Sequence, residues 1–93
     1  MIQSFADQRT RDLYATGRAK RLPPDVAKRA ARKLEYIGLA ATLDDLSVPP
    51  GNRLHALSGD RKVQYAISMN NPWRICFRYL DGDAFDVEVT DYH

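Results

Sequence analysis

The amino-acid sequence predicts an α+β domain in which two N-terminal helices pack on one face of a twisted, mainly antiparallel sheet. Apolar residues recur every three or four positions in the N-terminal part of the chain and every second position in the C-terminal part, which are the periods of helices and strands. At 93 residues the chain has the length of a single domain, residues 1–93. Its 44% hydrophobic and 28% charged residues indicate a folded globular protein rather than a disordered one.

The N-terminal part is predicted to contain a short edge strand at residues 2–5 and two helices. Ser4 carries a hydroxyl that can cap the first helix, and Asp7 would lie in its first turn, where negative charge is favoured. Gly17 suits the left-handed position that ends a helix. The second helix is predicted over residues 25–39, after two prolines, because its apolar residues form one stripe of Val26, Ala30, Leu34 and Ile37.

The C-terminal part is predicted to form antiparallel strands after a connection at residues 42–52 that includes one helical turn at residues 43–46. Asp81-Gly82 is a strong signal for a two-residue hairpin turn. The strands are expected over residues 53–57, 62–69, 73–79 and 85–89. Alternation places Trp73, Ile75, Phe77 and Tyr79 on one face of their strand, Arg74, Cys76 and Arg78 on the other, and Phe85 on the same face as Val87 and Val89.

Charge is distributed unevenly along a chain whose net charge is only +2. Residues 1–36 contain nine basic and four acidic residues, whereas residues 37–93 contain five basic and eight acidic residues. This asymmetry favours a polyanion or an acidic partner for the N-terminal half. Charge alone is explained more simply by a solvated helix face.

Cysteine content and hydropathy predict a cytoplasmic protein with no membrane partner. The single cysteine, Cys76, cannot form an intramolecular disulfide, and a lone strand cysteine is most often an inert packing residue. No apolar run approaches the roughly 20 residues of a membrane span, and the N-terminus lacks the apolar segment of a secretory signal.

The motifs of most enzyme classes are absent from the sequence. It contains no glycine-rich phosphate loop, no GxSxG motif and no histidine or cysteine pair at metal-ligand spacing. We therefore expect neither a cofactor nor a metal site. His55, Cys76 and His93 lie on separate segments, which argues against their sharing a metal ion.

The remaining polar residues could support RNA cleavage without a metal. That reaction needs a base for the ribose 2′-hydroxyl, a cation beside the phosphorus and an acid for the leaving 5′-oxygen. Plain alternatives exist: His93 could be a frayed terminal residue, Tyr92 could pack on a sheet edge, and Arg74 could pair with Asp86 or Glu88. The candidate groups are His55, Arg61, Lys62, Arg74, Arg78, Asp91, Tyr92 and His93.

Four sequence motifs in the same order resemble the HigB toxins of the RelE superfamily. They are PPGNRL at 49–54, LSGDR at 57–61, WRICF at 73–77 and the terminal DYH at 91–93. The resemblance implies a RelE-like fold and a type II toxin that enters the ribosomal A site and cuts translated messenger RNA without a metal. It also implies a HigA-type helix-turn-helix antitoxin as partner, with operator DNA contacted only through that antitoxin. The basic N-terminal half would then face ribosomal RNA.

The resemblance also implies roles for individual residues. His93 matches the terminal histidine that leads in proton transfer, and Arg74 matches the strand arginine that binds the scissile phosphate. Tyr92 would orient or stack on the scissile nucleotide, and Asp91 would position its neighbours. The expected RNA-binding residues are His55, Arg61, Lys62 and Asn71.

Ser58 is a departure from the pattern, because some members of the family carry a catalytic lysine at this position. A serine cannot replace an ammonium group as a charged phosphate ligand. Either Arg61 or Lys62 supplies the charge, or cleavage is attenuated. Two alternatives follow: a degenerate toxin fold that acts mainly as antitoxin partner and corepressor, or an inhibitor that blocks the ribosome without cutting RNA.

Overall fold

A computed structural model describes residues 1–57, 59, 64–70 and 72–91. Two helices, α1 (Gln8–Thr16) and α2 (Pro24–Leu39), are followed by 3₁₀ segments at Leu43–Ser47 and Pro50–Asn52. The strands are β1 (His55–Ala56), β2 (Tyr65–Ser68), β3 (Trp73–Leu80) and β4 (Asp83–Asp91). These strands form a sheet in the order β1-β2-β3-β4, and each neighbouring pair is antiparallel. The predicted α+β class is confirmed.

The first helix begins at an aspartate cap, so the prediction that Ser4 caps it is wrong. The side chain of Asp7 accepts a hydrogen bond from the backbone N–H of Thr10 at 2.8 Å. Ser4 lies beside β4 instead, and its hydroxyl oxygen accepts the backbone N–H of Asp86 at 2.9 Å. Gly17 ends α1 as predicted, in the left-handed conformation with φ of 77°, which glycine adopts without steric cost.

The second helix supplies the predicted apolar stripe to the core. Pro24 stands in its first turn, where the missing N–H has no partner to lose. Each large side chain of the stripe gains about 1.5–3 kcal/mol from burial. The buried stripe residues are Val26, Ala30, Leu34 and Ile37.

No helix in the described ranges combines the length and the hydropathy that a membrane crossing requires.

The helices cover one face of the sheet, as expected for an antiparallel sheet with a single buried face. Leu13 of α1 is fully buried against this face together with the α2 stripe. Trp73 and Tyr79 are partly buried and pack against the same core, which confirms the predicted facing of β3. The sheet contributes the fully buried side chains of Ile67, Ile75, Phe77, Val87 and Val89.

The last strand contains a β-bulge that the alternation of the sequence does not reveal. Pairing between β3 and β4 shifts by one residue between Cys76 and Arg78, so β4 carries one extra residue there. Asp86 stands at the shift with a positive φ of 53°. The bulge reverses the facing of the residues before it. Phe85 therefore pairs with Arg78 on the face away from Val87, and the prediction of a shared face is wrong.

The N-terminal segment lies beside β4, as the predicted edge strand at residues 2–5 requires. It makes two isolated parallel bridges, Ile2 with Ala84 and Phe5 with Val87. Backbone hydrogen bonds of 2.8–3.1 Å join the two segments. This segment therefore covers the edge of β4, which limits pairing with another chain.

The strand predicted at residues 53–57 is shorter in the structure, His55–Ala56. Arg53 adopts a left-handed conformation with φ of 48° directly after the 3₁₀ segment Pro50–Asn52, so the chain joins the sheet only at His55. The helical turn predicted within the preceding connection is confirmed as the 3₁₀ segment Leu43–Ser47.

Asn52 is fully buried at the end of this connection and is hydrogen bonded on both sides of its amide. Its Nδ2 donates to the backbone oxygen of Leu46 at 3.1 Å and of Val48 at 3.3 Å. Its Oδ1 accepts a hydrogen bond from Nζ of Lys33 in α2. One side chain thus ties the connection to the second helix.

Replacing Asn52 by alanine should lower the free energy of unfolding by about 2–4 kcal/mol, because two carbonyls and an ammonium group lose a buried partner. Urea unfolding measures the change. Lys33→Met removes only one of these bonds and should cost less. A cost for Asn52→Ala no larger than for Lys33→Met would contradict this account.

Candidate active site

The predicted site residues divide between the described part of the chain and the rest. His55, Arg74, Arg78 and Asp91 lie in the described part. Ser58 lies outside the described residues, and so do the other predicted site residues. They are His93, Tyr92, Asn71, Arg61 and Lys62.

Arg74 stands near the beginning of β3 and is half-buried. It pairs with Ser68 of β2 on one side and with Thr90 of β4 on the other, so the sheet fixes its backbone from both sides. Its side chain lines a cleft of about 530 Å³, bounded also by Gly51, Arg53, Ser68, Met69 and Trp73. A guanidinium that lines a concave site is suited to binding a phosphate group.

Asp91 is the exposed last residue of β4 and pairs with Trp73. Because side chains alternate along a strand, Asp91 and Arg74 belong to opposite faces of the sheet. Asp91 is therefore close to Arg74 across the paired strands β3 and β4, but it lies on the opposite face of the sheet. From this face Asp91 is better placed to position neighbouring residues than to contact the phosphate.

His55 is exposed on β1 and pairs with Ala66 of β2. Its Nδ1 lies 2.7 Å from the backbone oxygen of Arg53. A carbonyl only accepts, so Nδ1 carries the proton in this bond and Nε2 of the neutral ring is left as an acceptor. From the register, His55 and Arg74 share a face with their Cα atoms roughly 12 Å apart, given the usual strand spacing and rise.

The other β3 residues on the face of Arg74 are Cys76 and Arg78, and they are less accessible than the sequence indicates. Cys76 is fully buried, in line with its prediction as a packing residue. Nε of Arg78 donates to Oδ2 of Asp86 at 2.8 Å, and its guanidinium lies 5.3 Å from the centre of the Phe85 ring. The ion pair with Asp86 that the sequence suggested for Arg74 is thus made by Arg78.

A second cleft of about 360 Å³ adjoins the first and carries the charge of α2. Both clefts include Gly51, Ser68 and Met69 in their lining, so they form one surface, which we call the basic groove. Its α2 side consists of Arg29, Arg32, Lys33 and Tyr36.

Three cationic side chains, Arg29, Arg32 and Lys33, lie close together at this end of the groove. Burial lowers the pKa of Lys33 from its usual value, and the nearby charges of Arg32 and Arg29 lower it further. Nearby positive charges lower the pKa of a lysine because protonation gives it a charge that they repel. The sequence did not single out the groove residues. Its only signal for them was the excess of basic residues in the N-terminal half.

Arg9 is a further residue that the sequence did not single out. Its Nη2 donates to the backbone oxygen of Val89 at 2.8 Å, and its guanidinium lies 5.8 Å from the centre of the Trp73 ring. Arg9 therefore links α1 to the end of β4 beside the Arg74 cleft.

Among the residues that the structure describes, no group of three histidine, cysteine or acidic side chains is arranged to hold a metal ion.

Comparison with known proteins adds independent information about the chain. Residues 3–93 match the family described as RelE-like toxin of type II toxin–antitoxin system HigB. The chain is 31% identical over 93 residues to the endoribonuclease HigB of Proteus vulgaris, covering 100% of both chains. It is 34% identical over 93 residues to the toxin HigB-1 of Vibrio cholerae serotype O1, covering 99% of this chain and 98% of that one.

Proposed function

Because the chain belongs to the HigB family of RelE-like toxins of type II toxin–antitoxin systems, we propose that it cuts translated messenger RNA in the ribosomal A site. Its enzyme class is endoribonuclease, the activity that the name of the Proteus vulgaris relative states. The observation that carries the proposal is the cleft in which Arg74 and Arg53 lie together. Two cations in one concave site favour a phosphodiester as the ligand.

Arg74 is assigned to the scissile phosphate. In the transition state negative charge builds up on the non-bridging oxygens of the phosphate, and the guanidinium of Arg74, whose backbone is held on both sides by the sheet, would stabilise it. The 2′-hydroxyl gives its proton to a base, and its oxygen attacks the phosphorus. The 5′-oxygen then leaves and takes a proton from an acid. The products are a 2′,3′-cyclic phosphate and a 5′-hydroxyl.

His93 and Tyr92 are assigned to proton transfer and to the scissile nucleotide. Thr90 pairs with Arg74, and each residue extends the chain by at most about 3.6 Å. This pairing supports the assignment of His93 and Tyr92 to the Arg74 cleft. Asp91 is assigned to positioning them. Tyr92, His93 and His55 all remain candidates for the base or the acid.

RNA binding outside the reaction centre is assigned to His55, Arg61, Lys62 and Asn71. His55 lies on the same sheet face as Arg74, and its Nε2 is available to the RNA. The other three are assigned from the family resemblance alone. As a member of a toxin–antitoxin system the protein has an antitoxin partner, which we propose to be of the HigA helix-turn-helix type. The protein would act in the cytoplasm, where ribosomes translate, and would reach operator DNA only through the antitoxin.

Replacing Ser58 by lysine is expected to raise the cleavage rate by up to about a hundredfold, because a restored cation at the phosphate is worth on the order of 3 kcal/mol in the transition state. Cleavage of messenger RNA on purified ribosomes gives the rate. Ser58→Met, which adds length without charge, is the control. An unchanged rate in Ser58→Lys would contradict attenuation by Ser58 and would mean that Arg61 or Lys62 already supplies the charge.

The experiment that tests the proposal compares the same messenger RNA free in solution and on translating ribosomes. We expect the purified toxin to cut only the translated messenger RNA. Equal cutting of both would contradict ribosome dependence. Stalled ribosomes on intact transcripts would favour the inhibitor that does not cut. No effect on translation, together with intact regulation of the operator, would favour a corepressor.

A further inference from the structure

The basic groove leads away from the Arg74 cleft toward α2, and the reaction at Arg74 does not use its far end. We propose that this groove holds the single-stranded RNA that flanks the cleavage site, with Arg29 and Arg32 contacting its phosphates. The inference rests on the proposed function, because it takes the nucleotide at Arg74 as its starting point.

The charges of the groove support a polyanion as its ligand. Arg53 and Arg74 line one cleft, and Arg29, Arg32 and Lys33 line the other. Among the residues that the structure describes, no acidic side chain lines either cleft. Arg29 and Arg32 are exposed, and within the described part of the chain neither takes part in an ion pair. Lys33 differs from them, because its ammonium is held by buried Asn52. The two arginines are therefore the α2 side chains of the groove that are available to phosphates.

Aromatic rings stand at both ends of the groove and favour unpaired bases. Trp73 lines the Arg74 cleft, and Tyr36, 41% exposed, lines the α2 cleft. Unpaired bases stack on such rings, whereas the bases of duplex RNA are already stacked in the helix. A cation lies near each ring, Arg9 at 5.8 Å from Trp73 and Lys33 at 5.7 Å from Tyr36.

A path from Arg74 to α2 is continuous in the fold. Gly51, Ser68 and Met69 belong to the lining of both clefts, so a strand bound at Arg74 would pass over these residues to reach α2. Gly51 presents no side chain, and a Cβ built on it would meet no atom within 4 Å. The middle of the groove is therefore open.

Binding of a short single-stranded 2′-O-methyl oligoribonucleotide tests the proposal, because this RNA has no 2′-hydroxyl to attack and is not consumed. Fluorescence anisotropy over a salt series gives the affinity of the parent, Arg29→Gln, Arg32→Gln and Lys28→Gln. Lys28 is the matched control: it is exposed on the same helix but does not line the groove. The three positions are exposed, so the variants should unfold at the same temperature as the parent.

We expect Arg29→Gln and Arg32→Gln each to weaken binding about fivefold and to reduce the salt dependence by about 0.7 in slope, the value for one lost phosphate contact in a single strand. Lys28→Gln should change the affinity by less than about twofold, since it loses only distant attraction. Equal effects at all three positions, or no effect at Arg29 and Arg32, would overturn the proposal.

A second arm uses the same oligonucleotide annealed to its complement. Weaker binding of the duplex, with no difference between parent and arginine variants, supports the groove as a single-strand site. Duplex binding as tight as that of the single strand, and equally sensitive to Arg29 and Arg32, would overturn the proposal in favour of ribosomal RNA helices. Because no cleavage is measured, the two proposals can fail separately. Binding that depends on Arg29 and Arg32 in a protein that never cuts RNA would support a single-strand site in the groove and contradict the proposed function.

Discussion

Replacing Arg74 by glutamine is expected to lower the rate of messenger RNA cleavage on ribosomes about a hundredfold, because the phosphate loses a preorganised charge worth on the order of 3 kcal/mol in the transition state. Glutamine keeps a hydrogen-bond donor in the cleft but no charge. The loss should therefore be in the rate at saturating ribosomes more than in the affinity for RNA. Single-turnover cleavage and oligonucleotide binding separate the two.

Arg78→Gln is the matched control for this change. Arg78 lies on the same strand and the same face as Arg74, but it is paired with Asp86 and does not line the Arg74 cleft. Both variants lose one positive charge, so a general loss of attraction to RNA would affect them alike. Equal rates for Arg74→Gln and the parent, with both proteins folded, would contradict the assignment of Arg74 to the scissile phosphate.

Replacing His93 by alanine is expected to reduce cleavage by about a hundredfold or more, since a positioned group that transfers a proton contributes about 10²–10⁴ in rate. Expression of the variant without its antitoxin should permit growth that the parent chain inhibits. Mapping of messenger RNA ends in the same cells should show the parent's cuts and their loss in the variant.

His55→Ala provides the comparison within the same residue type. His55 is assigned to RNA binding, so its loss should weaken binding and slow cleavage by a smaller factor than the loss of His93. The same pattern of messenger RNA ends in His93→Ala as in the parent would contradict the catalytic role of His93. A larger loss in His55→Ala than in His93→Ala would make His55 the leading proton-transfer group.

The helices, the hairpin and the facing of β3 could be predicted because each depends on residues close in sequence. The α2 stripe repeats within one segment, and Asp81-Gly82 forms its turn with positive φ at both residues, 51° and 84°. Such local signals survive whatever the rest of the chain does.

The bulge in β4 could not be predicted, because one of the two contacts at Asp86 comes from the opposite end of the chain. Asp86 receives a hydrogen bond from Arg78 through its carboxylate and donates its backbone N–H to Ser4. Ser4 is 82 positions away from Asp86 in the chain. The same contact explains the wrong helix cap, since Ser4 and Asp7 are both good capping residues and only the fold decides between them.

A sequence motif singled out Arg74, whereas no sequence motif predicted the groove. Arg74 stands in the WRICF motif, but Arg29 and Arg32 appeared only as members of a basic segment. The groove forms where α2, Gly51 and the strand residues Ser68 and Arg74 come together in the fold. The roles of all the predicted site residues stay predictions, and so does the attenuation attributed to Ser58. These residues are His93, Tyr92, Asp91, Arg74, His55, Asn71, Arg61 and Lys62.

The most direct test of the account uses a messenger RNA in which a single 2′-hydroxyl, at the nucleotide 5′ to a mapped cut, is replaced by hydrogen. The account predicts that cutting at this position stops while cuts elsewhere in the same transcript continue, and that the unmodified transcript yields a 2′,3′-cyclic phosphate. Undiminished cutting at the deoxy position would contradict attack by the 2′-oxygen, and with it the central claim.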